Sequence, residues 1–216
     1  MKSQRPGKKL LLVNKEIDIT GSEILFDEVV TTENYRSLFE FHNSEWIVEN
    51  GWLTGKNPDE SAGMAIFRKE FPGNILLEFE GRTVLPSTRD INFMWNTEWN
   101  ERLNSCGTGY IGSICGWWTK RVGIEKSPEF KLRATTSGFD FKPGRTYKVY
   151  AGGVDGNCFI FIDGKLYIEI DDPDPVDGRL FNKIALSVYS SHVQFRKIKI
   201  RQIAWKPSEM RYTPEF

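Results

Sequence analysis

The sequence predicts an all-β fold, a sandwich or barrel of many short antiparallel strands, and three observations carry that prediction. Seven segments alternate apolar and polar residues: GMAIFRKEF, NILLEFEGRTVL, DINFMWNTEW, TYKVYAGGV, NCFIFIDGKLYIEID, NKIALSVYS and HVQFRKIKIRQIAW. They are rich in Ile, Val, Phe, Tyr and Trp, which pack well on a pleated surface, and are separated by Gly, Pro, Asn and Asp. Only TTENYRSLFEFH, residues 31–42, has the pattern of a short helix, with Thr31 or Thr32 as its cap.

A chain of 216 residues is within the size of one such domain and long enough to bury a good core. No repeat, low-complexity tract or linker divides it. Residues 1–22 read as an N-terminal arm and 206–216 as a tail, both peripheral. Lys+Arg and Asp+Glu each number 29, so the formal net charge is zero. Nucleic acid is thereby excluded as a partner, because phosphate binding needs a concentrated positive field. No segment approaches the roughly 20 apolar residues of a membrane-spanning helix. The apolar run LLLV, Leu10 to Val13, is too short for a secretory leader. The expected setting is the cytoplasm, or the outside of the cell with a leader already removed. Cys106, Cys115 and Cys158 make no CxxC pair, so three reduced thiols are expected.

Taken in chain order, Trp46 and Trp52 flank an Asn50-Gly51 turn and are read as packing residues. In NILLEFEGRTVL the odd positions Ile75, Leu77 and Phe79 are apolar, and Glu78, Glu80 and Arg82 are even. In DINFMWN the odd positions are Ile91, Phe93 and Trp95, against Asp90, Asn92 and Asn96. Pairing these two strands through LPST places the polar set on one sheet face. Trp95 then belongs to the core, and Trp99, past the strand end, is freed for a rim. Trp117 and Trp118 are adjacent, so on a strand they point to opposite faces and one is displayed. Asp163-Gly164 suits a two-residue type I′ hairpin turn, where both positions need positive φ. That register opposes Ile162 to Lys165, Phe161 to Leu166 and Phe159 to Ile168, giving a core face of Phe159, Phe161, Leu166 and Ile168. In the last strand Val193 and Phe195 are odd, Ile198 and Ile200 even. A β-bulge near Arg196–Lys197 restores the phase.

The order EILFDE, SEWIVENGWLTGKN, LLEFEGR, DINFMWN and FIDGKLYIEIDDPDPVDGRLFNKIALSVYSSHVQFRKIKI resembles the concanavalin A-like lectin/glucanase superfamily. Within it the chain is similar to jelly-roll domains of the 3-keto-disaccharide hydrolase and YesU-like kinds, over about Ile24 to Ile203. The resemblance implies a two-sheet antiparallel jelly roll with a concave face that handles saccharides. Relatives either cleave glycosidic bonds or only bind sugars. The Glu-x-Asp-x-Glu strand of the laminarinase-type members is not matched, since EIDDPDP lacks the second glutamate.

The expected partner is an oligosaccharide or polysaccharide fragment. Glu78 and Asp90 are the candidate acid and base, as two carboxylates on one face can serve a glycoside hydrolase or lyase. Arg82, Asn92 and Asn96 are placed to hydrogen-bond sugar hydroxyls, Arg82 also to pair with an acidic sugar. Trp99 with Trp117 or Trp118 supplies flat faces for stacking, and His192, where a strand begins, is a further binding candidate. The bland reading of the same polar set is a solvated sheet face. The loop DDPDP, Asp171 to Pro175, is an acidic turn that could take calcium through oxygen ligands; no other cofactor is indicated. With His42 and His192 the only histidines, a three-His metal site is excluded. Two functions follow: an enzyme on oligosaccharides, or a non-catalytic carbohydrate-binding domain.

Overall fold

In the computed structural model, which describes residues 8–116, 121–129 and 133–208, two antiparallel sheets pack face to face. The seven-stranded sheet runs in the order Arg133–Thr136, Val122–Ser127, Gly109–Ile114, Ile91–Thr97, Lys183–Val188, Gly63–Phe67 and Phe39–His42. The eight-stranded sheet runs Lys165–Asp171, Asn157–Ile162, Tyr147–Val154, Ile75–Thr83, Ser191–Gln202, Trp52–Asn57 and Glu45–Glu49, with Glu23–Phe26 paired to Ser191–Gln202. Period-two alternation sends Ile75, Leu77 and Phe79 inward from one sheet and Ile91, Phe93 and Trp95 from the other, all within one core cluster. Trp95 is fully buried, as expected.

The pairing of those two strands is not as expected. Ile75–Thr83 pairs with Tyr147–Val154 and Ser191–Gln202, whereas Ile91–Thr97 pairs with Gly109–Ile114 and Lys183–Val188. The segment between them crosses from one sheet to the other. Parity correctly says which residues face the core, but the same inward set serves two strands that face each other across it. Glu78 and Arg82 therefore lie on the outside of the eight-stranded sheet, and Asn92 on the outside of the seven-stranded sheet. The expected shared face of Glu78, Asp90 and Asn92 does not exist.

Local turn chemistry is followed more closely. Asp163 and Gly164 have φ of 51° and 84°, Asn50 and Gly51 of 50° and 74°, as type I′ turns demand. The last strand shifts register between Arg196 and Lys199, with Lys197 at φ 51°, so the expected bulge is present. The helix over 31–42 shrinks to one turn, Tyr35–Leu38, because Phe39–His42 joins the sheet and pairs with Gly63–Phe67. Burial of Phe39 outweighs the weak stability of so short a helix.

The 157–171 hairpin corrects one expectation. Ile162 and Phe161 pair with Lys165 and Leu166 as expected, but the register then shifts, so Ile160 meets Ile168 and Phe159 meets Glu169. Cys158, Ile160 and Ile162 face the main core. Phe159, Phe161 and Leu166 face outward, where Leu10, Leu12, Ile17 and Ile19 of the N-terminal segment cover them. Both faces of this hairpin are buried, which is why a one-sided reading chose the wrong one. The strands Lys9–Leu11 and Lys15–Asp18 form a small sheet with Trp205–Pro207, clasping the arm to the tail. No disulfide joins Cys106, Cys115 or Cys158.

Candidate functional site

At one end of the seven-stranded sheet, Asn92 sits between Ser113 and Ser187 on the two flanking strands. All three are buried although they point away from the core. Just before the strand, Asp90 adopts φ 82° and its N–H donates to the carbonyl of Cys115, itself at φ 58°. Left-handed conformations cost a non-glycine residue about 1–3 kcal/mol and collect at functional sites. Gly116 lies directly over this corner. A Cβ placed there would fall 1.8 Å from Ser113 Oγ and 2.8 Å from Asp90 Oδ1, so only glycine lets the backbone approach.

Three oxygens here, Asp90 Oδ2, Asn92 Oδ1 and Ser113 Oγ, are buried without a hydrogen-bond partner among the described residues. Nearly all buried polar groups in proteins are partnered, because leaving one unpaired costs about 1–3 kcal/mol. Asp90 and Asn92, but not Ser113, line a cleft of about 220 Å³ together with Glu60, Arg89, Gly116 and Tyr189. Tyr189 exposes part of its ring there. Burial pushes the Asp90 carboxyl up to about 7, against the opposing pull of the Asn92 amide, the Arg89 charge and the Tyr189 backbone N–H. Near neutral pH the site therefore contains a carboxyl able to donate as well as accept. A ligand rich in hydroxyls, each both donor and acceptor, matches such a set.

Of the residues singled out in the sequence, Asp90 and Asn92 come together here. Trp117 and Trp118 follow Gly116 directly but lie outside the described residues. Glu78 is on the opposite outside of the sandwich, ion-paired at 2.7 Å with Lys148, so it cannot act with Asp90. Arg82 shares Glu78's sheet face: its Nε donates to Gln194 and its guanidinium lies 4.3 Å from the Trp52 ring centroid. His192 begins the neighbouring strand on that face.

Asn96, at φ 48°, lies at the far end of its strand in a cavity of about 560 Å³, where its amide donates to the carbonyl of Gly73. Tyr110 in that cavity is likewise engaged, donating to Asp172 and accepting from the N–H of Val176. Asp172 also faces Lys126 at 3.1 Å, so this acidic-loop carboxylate already has partners.

Trp99 is not the free rim residue expected. It stacks on His42 with ring centroids 4.1 Å apart and covers Met64, Ile66, Met94, Ile111 and Ala185, an apolar patch outside the seven-stranded sheet. The inside-outside alternation is broken by that patch, and the 98–108 segment folds back to seal it. Ser113, Ser187, Gly116 and Tyr189 were missed by sequence reasoning. Their signal is spatial, since they reach Asn92 only through sheet pairing and loop approach.

No protein-family model matches the chain, and no curated protein matches it either. Solved structures do. A Bacillus subtilis protein described as having unknown function and a galectin-like fold superposes with a TM-score of 0.68 at 12% identity, over 84% of this chain and 97% of its own. The carbohydrate-binding module CBM66 from Bacillus subtilis gives 0.60 at 12% identity, over 76% and 95%. A structure from Parabacteroides distasonis described as a putative glycosyl hydrolase gives 0.56 at 12% identity, over 82% and 99%. At such identities the likeness is one of fold: the chain has a galectin-like jelly-roll β-sandwich.

Proposed function

We propose that this is a carbohydrate-binding domain whose saccharide site is the Asp90–Asn92 cleft. One observation carries the reading: two buried side-chain oxygens without partners, on Asp90 and Asn92, belong to residues that line a cleft of a size for a sugar's hydroxyl groups. The partly exposed ring of Tyr189 supplies an apolar surface beside them, the usual complement to sugar hydroxyl recognition. That one superposable structure is a carbohydrate-binding module, at 12% identity, agrees with the reading. Hydrolysis loses its anticipated pair, because Glu78 and Asp90 are on opposite outsides. A hydrolytic reading now rests on Glu60, the other carboxylate lining the cleft.

The test is calorimetric titration with a panel of oligosaccharides, using wild type and Asn92→Ala, each checked for native circular dichroism. Wild type is expected to bind at least one member and Asn92→Ala to lose about tenfold or more in affinity. Asn92→Ala binding as wild type does, or no binding by wild type, overturns the assignment. Appearance of new reducing ends on incubation, lost in Glu60→Gln, selects the hydrolytic reading instead.

A further inference from the structure

At the end of the sandwich away from Asp90 lies the cavity of about 560 Å³ that contains Asn96, a size within the roughly 300–1,000 Å³ of small-molecule sites. It opens between the ends of the two sheets. Asn96 and Tyr110 come from the seven-stranded sheet, Gly153, Cys158 and Gln202 from the eight-stranded one, and Asp155 from the turn that joins Tyr147–Val154 to Asn157–Ile162. Residues 175–179 complete the wall. That segment is pinned. The Gly73 N–H donates to the Gly178 carbonyl at 3.0 Å, and a Cβ on Gly178 would fall 1.9 Å from the Asn96 amide nitrogen.

The cavity is one-sided in its hydrogen bonding. The amide nitrogens of Asn96 and Gln202 donate to the carbonyls of Gly73 and Asn74 at 3.2 and 3.1 Å. A carbonyl can only accept, so both amides must turn their nitrogen to it, and Asn96 Oδ1 and Gln202 Oε1 are left as acceptors. Asn74 and Asp155 bind each other twice, the Asn74 amide donating to Asp155 Oδ1 at 3.1 Å and the Asp155 N–H to Asn74 Oδ1 at 3.0 Å. Asp155 Oδ2 is left over. These three oxygens have no hydrogen-bond partner among the described residues, whereas the Tyr110 hydroxyl has two. One dipeptide gathers them, since the Gly73 carbonyl holds Asn96, and Asn74 holds both Gln202 and Asp155.

Charge is one-sided as well. The charged residues lining the cavity are Asp155, Asp177 and Arg179. Arg179 grips Asp177 through Nε and Nη2 at 3.0 and 2.9 Å, which neutralises both. Asp155 has no ion pair among the described residues, so the cavity carries a net negative charge. A complementary ligand brings hydrogen-bond donors and a positive charge.

We propose that this cavity is a second ligand site that takes a small hydroxylated amine, its ammonium group on Asp155 and its hydroxyls on Asn96 and Gln202. Amino sugars have that chemistry. Pro175 and Val176 supply an apolar wall for the ring carbons. A neutral sugar would satisfy the amide oxygens but leave the Asp155 charge unmatched, so the free amine is what the cavity selects. The site stands apart from the Asp90–Asn92 cleft and does not depend on it.

The experiment titrates glucosamine, galactosamine and mannosamine against their parent sugars and N-acetyl forms, at about pH 6, where the amine is charged. Calorimetry gives affinity, and NMR of the Gly153 and Gly178 amides gives the place. At least one amino sugar is expected to bind about fivefold tighter than its parent and its acetylated form, less so at high salt. Asp155→Asn keeps a residue that tolerates positive φ and an acceptor for Asn74, and removes only the charge; it should lose that preference. Arg179→Gln, at a largely exposed side chain, uncovers the Asp177 carboxylate and should strengthen it. Asn92→Ala should leave it unchanged.

Equal binding of amino and parent sugars, silence of both glycine amides, or a preference surviving in Asp155→Asn overturns the assignment. So does weaker amine binding in Arg179→Gln. Loss of amine binding in Asn92→Ala would move the ligand to the first cleft and overturn it too. Propylamine binding as tightly as any amino sugar overturns the hydroxyl contacts and with them the ligand class.

Discussion

Asp90 makes the stability of this domain fall as the solution becomes less acidic. Its carboxyl titrates at about 7 in the fold, against 3.8 when unperturbed, because burial disfavours the charge. Below pH ~4 the group is protonated in both the folded and the unfolded chain and contributes no slope. Between pH ~4 and ~7 the native state binds one proton more than the unfolded state, so unfolding free energy declines with rising pH. The slope is about 1.4 kcal/mol per pH unit, and roughly three units bring the loss to about 4 kcal/mol, with no further change above pH ~7. Asp90→Asn keeps the shape and removes the titration. Urea denaturation of wild type and variant at matched pH values from 4 to 8 isolates the effect, because all other groups cancel in the difference. The variant should gain on wild type from pH 4 to about 7 and hold level above it. A difference that stays flat within about 1 kcal/mol, or that moves the other way, would show that Asp90 is not held protonated by burial.

Three further substitutions separate structure from binding. Trp95→Ala, which empties a fully buried position between Phe93 and Tyr110, should cost about 3–5 kcal/mol in chemical denaturation. Trp99→Ala should cost about 1–3 kcal/mol and raise binding of a hydrophobic dye, because it uncovers the Met64–Met94 patch; saccharide affinity unchanged alongside a lower melting temperature confirms a packing role. Glu78→Gln, whose lysine partner is half-buried and keeps a polar neighbour in the amide, should change stability by about 1 kcal/mol and leave saccharide binding as it was; a large loss of binding would return Glu78 to the site.

How much of this was legible in the sequence depends on the range of the interaction. Turns such as Asp163-Gly164 are set by two residues' backbone preferences and were readable, as was the bulge at Lys197, which shows as a slip in parity. Which residues of a strand face inward was readable too, for Ile75–Phe79 and Ile91–Trp95 alike. Which strands lie side by side was not, because an identical alternation serves two strands in one sheet or one strand in each of two. That ambiguity joined Glu78 to Asp90 in expectation and separates them in space. Asp90 and Asn92 were found as polar residues of the right parity, yet their setting depends on Ser113, Ser187 and Gly116, brought from elsewhere in the chain by pairing. Trp99 was misread because a polar, glycine-containing segment looks like an open loop, and nothing local reveals the apolar patch it closes over.

The small sheet that joins Lys9–Leu11 and Lys15–Asp18 to Trp205–Pro207 has a topological consequence. Ile203 next to it donates to the carbonyl of Asn74, at the Ile75 end of a nine-residue strand whose other end leads to Pro86 and Ser87. The first and last strands of the described chain thus flank one shared strand, at the pole opposite the loops that form the cleft. The same arrangement lets the domain be grafted through a single point on a longer polypeptide or a solid support, with its cleft held outward.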